Sequence, residues 1–95
     1  MIGSDEIVLL EEASYDMLDG KAFYERRHKG LGSYFWLSLL ADLESLKLYA
    51  GIHAKHHGFY RMKSKRFPYA IYYEQAEKMT HVVAVLPMRR KPTWI

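Results

Sequence analysis

Two apolar segments in the C-terminal half of the chain are typical of paired β-strands: Arg66-Phe67-Pro68-Tyr69-Ala70-Ile71-Tyr72-Tyr73 and Val82-Val83-Ala84-Val85-Leu86. Arg89-Arg90-Lys91-Pro92 follows the second segment, so basic residues lie at the outer ends of the pair. Pro68 has no backbone N–H, which predicts a position at a strand start, an edge or a bulge. A sheet with apolar residues on one face and Arg and Lys at its margins is suited to binding an acidic partner.

Further strands are predicted on both sides of this pair. After Gly58 the sequence alternates with a period of two, which indicates a strand with three cations on one face. These three cations are Arg61, Lys63 and Lys65. The last strand is predicted over Met79 to Leu86, after a connecting loop over Glu74 to Lys78, and the apolar run before Glu11 predicts a first strand.

Two helices are predicted between the first strand and Gly51. Ala13, Met17, Gly20 and Tyr24 have the spacing of one helical face. Acidic residues open this first helix and basic residues close it, as the helix dipole favours, and Gly30 marks its end. The second helix is predicted from an N-cap at Ser33 to Gly51, with these apolar positions on one stripe: Phe35, Leu39, Leu43, Leu46 and Ala50. The short link between the helices makes them antiparallel neighbours.

The predicted order of elements is β-α-α-β-β-β. This order defines an α+β domain, with a helical hairpin packed on a mostly antiparallel four-stranded sheet. Residues 1–95 are predicted to form a single domain, since so short a chain supports one hydrophobic core. The order of strands in the sheet is left open, because the first strand fits either edge. The segment 52–57 is predicted to be a loop rich in His and Lys.

Composition narrows the class of protein. The chain is 49% hydrophobic and has no cysteine, so it needs no disulfide framework and offers no thiolate metal site. No segment is apolar enough to cross a membrane, and the N-terminus does not resemble a signal peptide, so we expect a cytoplasmic protein.

The charge is divided unevenly along the chain. Residues 1–45 contain four Lys or Arg against nine Asp or Glu, whereas residues 46–95 contain ten against two. This asymmetry predicts that the basic half binds an acidic partner.

Metal and cofactor chemistry find little support in the sequence. His53, His56 and His57 lie within five residues, but a zinc site needs three or four ligands. A solvated loop explains these histidines better, and we expect no metal and no cofactor.

Catalysis has one conceivable form, which is metal-independent cleavage of RNA by cations that polarise a phosphate. Its candidate residues are Lys63, Lys65, Arg66, Arg89 and Arg90. No residue among them is a suitable acid or base, so the prediction leans away from an enzyme and towards binding. The predicted partner-binding residues are Arg61, Lys63, Lys65, Arg66, Arg89, Arg90 and Trp94.

Short motifs from Leu10 to Ile95 together resemble the RelE/ParE family of bacterial toxins from type II toxin–antitoxin modules. The motifs include Glu12-Ala13, Phe23-Tyr24-Glu25, Gly30-Leu31-Gly32, Tyr34-Phe35, Leu48-Tyr49-Ala50-Gly51-Ile52-His53, Lys65-Arg66-Phe67-Pro68-Tyr69, Ala84-Val85-Leu86, Arg89-Arg90 and Pro92. Each motif is weak, but their order and spacing are specific, and they favour the ParE-like branch, which includes plasmid stabilisation proteins.

The resemblance implies a β-α-α-β-β-β fold and a growth-inhibiting toxin that is neutralised by an acidic antitoxin segment. A toxin–antitoxin hetero-oligomer or a homodimer is the assembly expected. The ParE-like branch implies inhibition of DNA gyrase by protein binding. The alternatives are a RelE-like, ribosome-dependent mRNA endoribonuclease, and a non-toxic relic that retains only antitoxin binding. The RelE-like branch typically has a C-terminal Tyr or His, and no such residue follows His81.

Two positions depart from the family pattern. Pro87 stands where a polar residue usually follows the last strand, and Lys91 stands where an acidic residue commonly precedes the final proline. These departures concern toxicity rather than the fold, and they are the basis of the relic alternative.

Overall fold

The structure, a computed structural model, describes residues 2–92. Within this range the chain forms three helices and five strands in one sheet. In chain order they are β1 (Glu6–Leu9), α1 (Glu11–Arg27), α2 (Leu31–Glu44), α3 (Leu46–Tyr49), β2 (Lys55–His56), β3 (Phe59–Lys63), β4 (Tyr69–Ala76) and β5 (Met79–Pro87).

The strands lie in the order β1-β5-β4-β3-β2. β1 runs parallel to β5, and each of the other neighbouring pairs is antiparallel. The question left open by the sequence is thereby answered: the first strand lies at the edge beside the last strand. β4 and β5 are the longest strands and lie at the centre of the sheet. The α+β class and the helical hairpin on a mostly antiparallel sheet are confirmed.

The sequence predicted four strands, and the described residues form five. The prediction was wrong because the segment 52–57 is not only a loop. Lys55–His56 pairs with Phe59 and Tyr60 as a two-residue edge strand. His57 and Gly58 connect the two strands with φ angles of 57° and 87°. A two-residue hairpin turn of this kind needs positive φ at both positions, and glycine adopts it without strain.

The second helix differs from the prediction at both ends. It begins at Leu31, and Gly30 is the N-cap residue with a φ of 89°, so Ser33 lies inside the helix and is not its cap. The carboxylate of Glu25 takes the capping role, since it accepts hydrogen bonds from the N–H groups of Gly30 and Gly32. These backbone bonds lower the pKa of Glu25 below its ordinary value. The helix also breaks at Ser45 into α2 and α3.

The β4–β5 hairpin is tighter than the sequence indicated. β4 extends to Ala76, and the turn contains only Glu77, with a φ of 56°, and Lys78. The predicted loop over 74–78 therefore belongs mostly to the strand. Pro68 directly precedes β4, in agreement with its predicted position at a strand start.

The core lies between the helical hairpin and one face of the sheet. Its buried residues come from the three helices, from the residue that follows α3, and from strands β3, β4 and β5: Ala13, Met17, Phe35, Leu39, Leu43, Leu46, Ala50, Met62, Tyr69, Ile71, Tyr73, Val82 and Val85. Within the described residues, no helix is long and apolar enough to cross a membrane.

Thr80 of β5 is fully buried, and its hydroxyl oxygen has no hydrogen-bond partner among residues 2–92. We expect Thr80→Val to raise the free energy of unfolding by about 1 kcal/mol, because valine keeps the shape and removes an unpaired buried hydroxyl. Urea denaturation monitored by circular dichroism measures the change. Thr80→Ser, which keeps the hydroxyl and loses the methyl group, is the control and should destabilise the protein. A less stable valine variant would contradict the prediction.

Candidate partner-binding site

Most of the predicted cations come together at one end of the molecule, which we call the basic end. Lys63 ends β3 and pairs with Ala70 near the start of β4, which in turn pairs with Leu86 near the end of β5. Helix α1 ends there too, since the rings of Tyr24 and Phe67 lie 4.8 Å apart. The cations of the basic end are Arg26, Arg27, Lys63, Lys65, Arg66, Arg89 and Arg90.

The loop between β3 and β4 is held in shape by a buried carboxylate. Asp42 of α2 is 7% exposed, and its side chain accepts hydrogen bonds from the Ser64 hydroxyl at 2.5 Å and the Lys65 N–H at 3.4 Å. The Ser64 hydroxyl also accepts a bond from the Phe67 N–H. The loop is therefore fixed on α2 by its polar atoms, while Lys65 and Arg66 are exposed.

Arg61 lies on β3 and faces away from the helices. Its Nε donates to the Tyr72 hydroxyl at 3.2 Å, and its guanidinium lies 5.9 Å from the centre of the Tyr72 ring. Tyr72 belongs to a second, smaller cluster of buried residues, with Ala70, Ala84 and Leu86. Arg61 thus shields apolar surface with its stem as well as carrying charge.

A cleft of about 1020 Å³ lies between α1 and the basic end of the sheet. Its floor is apolar and aromatic, and its rim carries three arginines and two aspartates. The residues that line it are Asp16, Asp19, Gly20, Ala22, Phe23, Tyr24, Arg26, Pro68, Tyr69, Val85, Pro87, Met88, Arg89 and Arg90.

Asp16 joins α1 to the open edge of β5 beside this cleft. Its carboxylate accepts a hydrogen bond from the Val85 N–H at 3.0 Å, beyond the point where β1 ends. Burial raises the pKa of Asp16, while the Val85 N–H and Arg90 lower it. The Arg90 guanidinium lies 4.0 Å from the other carboxylate oxygen. Asp16 therefore satisfies a strand edge that would otherwise be exposed.

The cleft combines hydrogen-bonding groups with apolar and charged surface. Burial raises the pKa of both Tyr24 and Tyr69 above the ordinary value for tyrosine. As protonated tyrosines, both can donate hydrogen bonds through their hydroxyls. The apolar floor offers contact area, and the three arginines and two aspartates offer charged hydrogen-bonding groups. Among residues 2–92, no group of three or more His, Asp or Glu side chains is placed to hold a metal ion.

The structure places the predicted site residues in three positions. Arg89 and Arg90 line the cleft, Lys63, Lys65 and Arg66 lie at the same end, and Arg61 lies further back on the opposite face of the sheet. Trp94 lies outside the described residues. Their role in binding stays a prediction.

Sequence reasoning missed Asp16, Phe23 and Tyr69 as lining residues of the cleft. Asp16 and Phe23 lie on α1 between its exposed and buried sides, and Tyr69 belongs to a strand whose aromatic residues were assigned mainly to the core. No local signal distinguishes these positions, since the cleft exists only where α1 meets β5.

His53 lies between α3 and β2, away from the cleft. It makes a hydrogen bond through Nδ1 to the Tyr73 hydroxyl at 2.5 Å, and this hydroxyl accepts a bond from the Gly51 N–H. Burial lowers the pKa of His53 below 6.5. The unfolded chain therefore binds a proton at higher pH than the folded chain does. We expect the stability from neutral His53 to be present above about pH 6.5 and to be lost as the pH falls through the folded-state pKa.

Thermal unfolding between about pH 5 and pH 7.5 measures this dependence. His53→Asn should flatten the acid limb of the curve, whereas His57→Asn, at an exposed turn, should leave it unchanged. An unaltered acid limb in the His53 variant would count against the assignment.

No protein-family model and no curated protein sequence matches this chain. Among solved structures, the chain is similar to a chain of the structure titled "Chromosomal ParDE TA system from P. aeruginosa". The TM-score is 0.77 at 10% sequence identity, and the likeness covers 86% of this chain and 94% of that chain. Identity this low carries information about the fold alone.

The fold and the site together define an α+β domain with a helical hairpin on a mixed sheet and a cleft beside the first helix. Within that class the chain has the ParE-like fold, as the resemblance to the RelE/ParE family implied.

Proposed function

We propose that this chain is the toxin of a type II toxin–antitoxin module, and that an acidic antitoxin segment neutralises it. The observation that carries the proposal is the cleft beside α1, whose apolar floor is bordered by Arg26, Arg89 and Arg90. The fold it shares with a chain of a ParDE toxin–antitoxin system supports the same conclusion.

An antitoxin segment fits this surface for a physical reason. A disordered acidic chain that folds on binding gains charge pairing with the rim and apolar burial on the floor together. Lys65 and Arg66, held by the loop that Asp42 anchors, extend the basic surface past the cleft. Arg61 and Lys63 continue it onto the open face of β3.

We further propose that DNA gyrase is the target, that the chain inhibits it by protein binding, and that it acts in the cytoplasm, where gyrase works. The test is inducible expression in bacteria without an antitoxin, with growth, the DNA damage response and mRNA integrity scored together. Growth arrest with DNA damage and intact mRNA is the expected result. Arg89→Glu combined with Arg90→Glu should reduce the growth arrest. Lys78→Glu, in the turn between β4 and β5, should not.

A ribosome-dependent endoribonuclease is the second candidate. The observation in its favour is that five cations lie at one end of the sheet: Lys63, Lys65, Arg66, Arg89 and Arg90. Cleaved mRNA without DNA damage in the same experiment would assign that activity and reject gyrase. Unimpaired growth, with protein levels verified by immunoblot, would indicate a binding domain without toxicity. In that case Pro87 would first be replaced by a polar residue and Lys91 by an acidic residue, as the family pattern has them.

A further inference from the structure

Helix α2 has a solvent-exposed side that is uncharged along most of its length. The exposed residues of the helix before Glu44 are Ser33, Tyr34, Leu37, Leu40 and Ala41, and we call this set the outer face of α2. Tyr34 is 49% exposed, Leu37 is 64% exposed and Leu40 is 40% exposed. Spacings of three and four residues make these side chains neighbours along one side of the helix.

The first helix shows how unusual this face is within the same molecule. A surface helix normally carries charged residues on its exposed side, and α1 does so with Glu11, Glu12, Asp19, Lys21, Glu25, Arg26 and Arg27. Exposed apolar surface on successive turns indicates a docking site. No described residue of α2 lines the cleft beside α1, so the outer face of α2 is a separate surface.

The loop between β3 and β4 places two cations along one flank of this face. Asp42, in the last turn of α2, accepts a hydrogen bond from the Lys65 N–H at 3.4 Å. The ring of Phe67 lies 5.5 Å from the ring of Tyr34, in the first turn of α2. The loop therefore runs beside α2 from its last turn to its first, with Lys65 and Arg66 exposed between the two contacts.

Further cations lie on the opposite flank and at the start of the helix. Lys21 of α1 lies 5.4 Å from the centre of the Trp36 ring, on the flank of α2 that faces α1. Lys29 immediately precedes Gly30, the N-cap residue of α2. The outer face of α2 is therefore bordered by positive charge on three sides.

The acidic side chains nearest to this border already have partners. Glu25 accepts hydrogen bonds from the N–H groups of Gly30 and Gly32. Glu44, at the far end of the helix, pairs with Lys47 at 3.1 Å. A partner that brings carboxylates to the border thus meets cations in excess, and its apolar groups meet the face between them.

We propose that the outer face of α2 binds an amphipathic helix of another protein, with an apolar stripe flanked by Asp and Glu. Helices recognise such surfaces through apolar anchors at three- and four-residue spacing, which match the spacing of the face. A second copy of this chain would bring the same cations against the border. A lipid bilayer would take the Glu44 carboxylate, four residues after Leu40 on the same stripe, out of water. The proposal does not depend on the proposed toxin function.

Fluorescence anisotropy with a labelled, designed peptide tests the proposal. The peptide has about 18 residues, enough to span the roughly 21 Å of the 14-residue helix α2. It carries leucine on one helical face, glutamate on both flanks and alanine elsewhere, and we expect a dissociation constant in the micromolar range. The same peptide with lysine in place of glutamate should bind at least tenfold more weakly. Equal binding of the two peptides, or no binding up to about 200 µM, would overturn the proposal.

An exposed leucine on each helix separates the outer face of α2 from other apolar surface. Leu37→Ser should weaken binding of the glutamate peptide at least tenfold, because it removes the most exposed anchor of the face. Leu18→Ser makes the same change at an exposed position of α1 and should leave binding unchanged. Circular dichroism confirms that both variants fold. Wild-type affinity in the Leu37 variant would refute the assignment of the site.

Charge reversals test the border and the competing sites. Arg66→Glu should weaken binding at least fivefold, whereas Lys78→Glu, in the turn between β4 and β5, should not. If Arg89→Glu combined with Arg90→Glu abolished binding while Leu37→Ser did not, the peptide would lie in the cleft, and the proposal for α2 would fail. Sedimentation of the wild-type chain with phosphatidylglycerol vesicles, lost in Leu37→Ser, would identify a bilayer as the occupant and equally overturn it.

Discussion

Replacing Gly20 with alanine is expected to lower the free energy of unfolding by about 2 kcal/mol, through overpacking of the core. Intrinsic helix propensity predicts the opposite sign, because alanine in a helix is more favourable than glycine by about 1 kcal/mol. Packing decides the outcome here. A Cβ atom at Gly20 would lie 2.5 Å from Cζ and 2.6 Å from Cε2 of Phe35, whose ring is fully buried between α1 and the sheet.

Urea denaturation of Gly20→Ala and of three further variants separates the two effects. Ala22→Gly, at an exposed position of the same helix, measures the propensity effect alone and should cost about 0.5 to 1 kcal/mol. Phe35→Leu removes the ring atoms that the new Cβ would meet. The double variant Gly20→Ala/Phe35→Leu should therefore lose less stability than the sum of the losses in the two single variants. A Gly20→Ala protein more stable than the wild type would show that the two helices are free to move apart.

Replacing Asp42 with alanine is expected to cost about 2 kcal/mol of unfolding free energy, because the hydrogen bonds that its buried carboxylate accepts are lost and their two donors are left without this partner. The donors are the Ser64 hydroxyl and the Lys65 N–H. The loop that carries Lys65 and Arg66 should also become mobile, which increases amide hydrogen exchange between β3 and β4.

Glu44→Ala is the matched control for this prediction, since Glu44 lies on the same helix with an exposed carboxylate and a single ion pair to Lys47. It should change stability by less than about 0.5 kcal/mol. Asp42→Asn keeps an acceptor and should fall between the two. If the alanine and control variants were equally stable, the anchoring role of Asp42 would be wrong.

The sequence predicted those parts of the fold that depend on periodicity and on local turn chemistry. Helix α1 follows from the spacing of Ala13, Met17, Gly20 and Tyr24, and the central hairpin follows from two β-rich segments separated by polar residues. The α+β class followed from the order of these elements. Pro68 lies where a missing N–H requires it, next to the start of β4.

The sequence did not predict features that arise between elements distant in the chain. Strand β2 has only two residues and no periodicity of its own, so its pairing with β3 was missed. The N-cap of α2 was assigned to Ser33 because a local hydroxyl is the usual cap, whereas Glu25 supplies the carboxylate from the preceding helix.

For the candidate site, the sequence alone determined which residues carry charge, and it placed the basic excess in the second half of the chain. Only the tertiary structure decided that the ends of β3, β5 and α1 meet, because strand order and register are set by pairing between segments far apart in sequence. The cleft beside Asp16 has the same origin. Asp16 and Val85 are 69 residues apart in the sequence, and the packing of α1 on the sheet brings the Asp16 carboxylate into contact with the Val85 N–H.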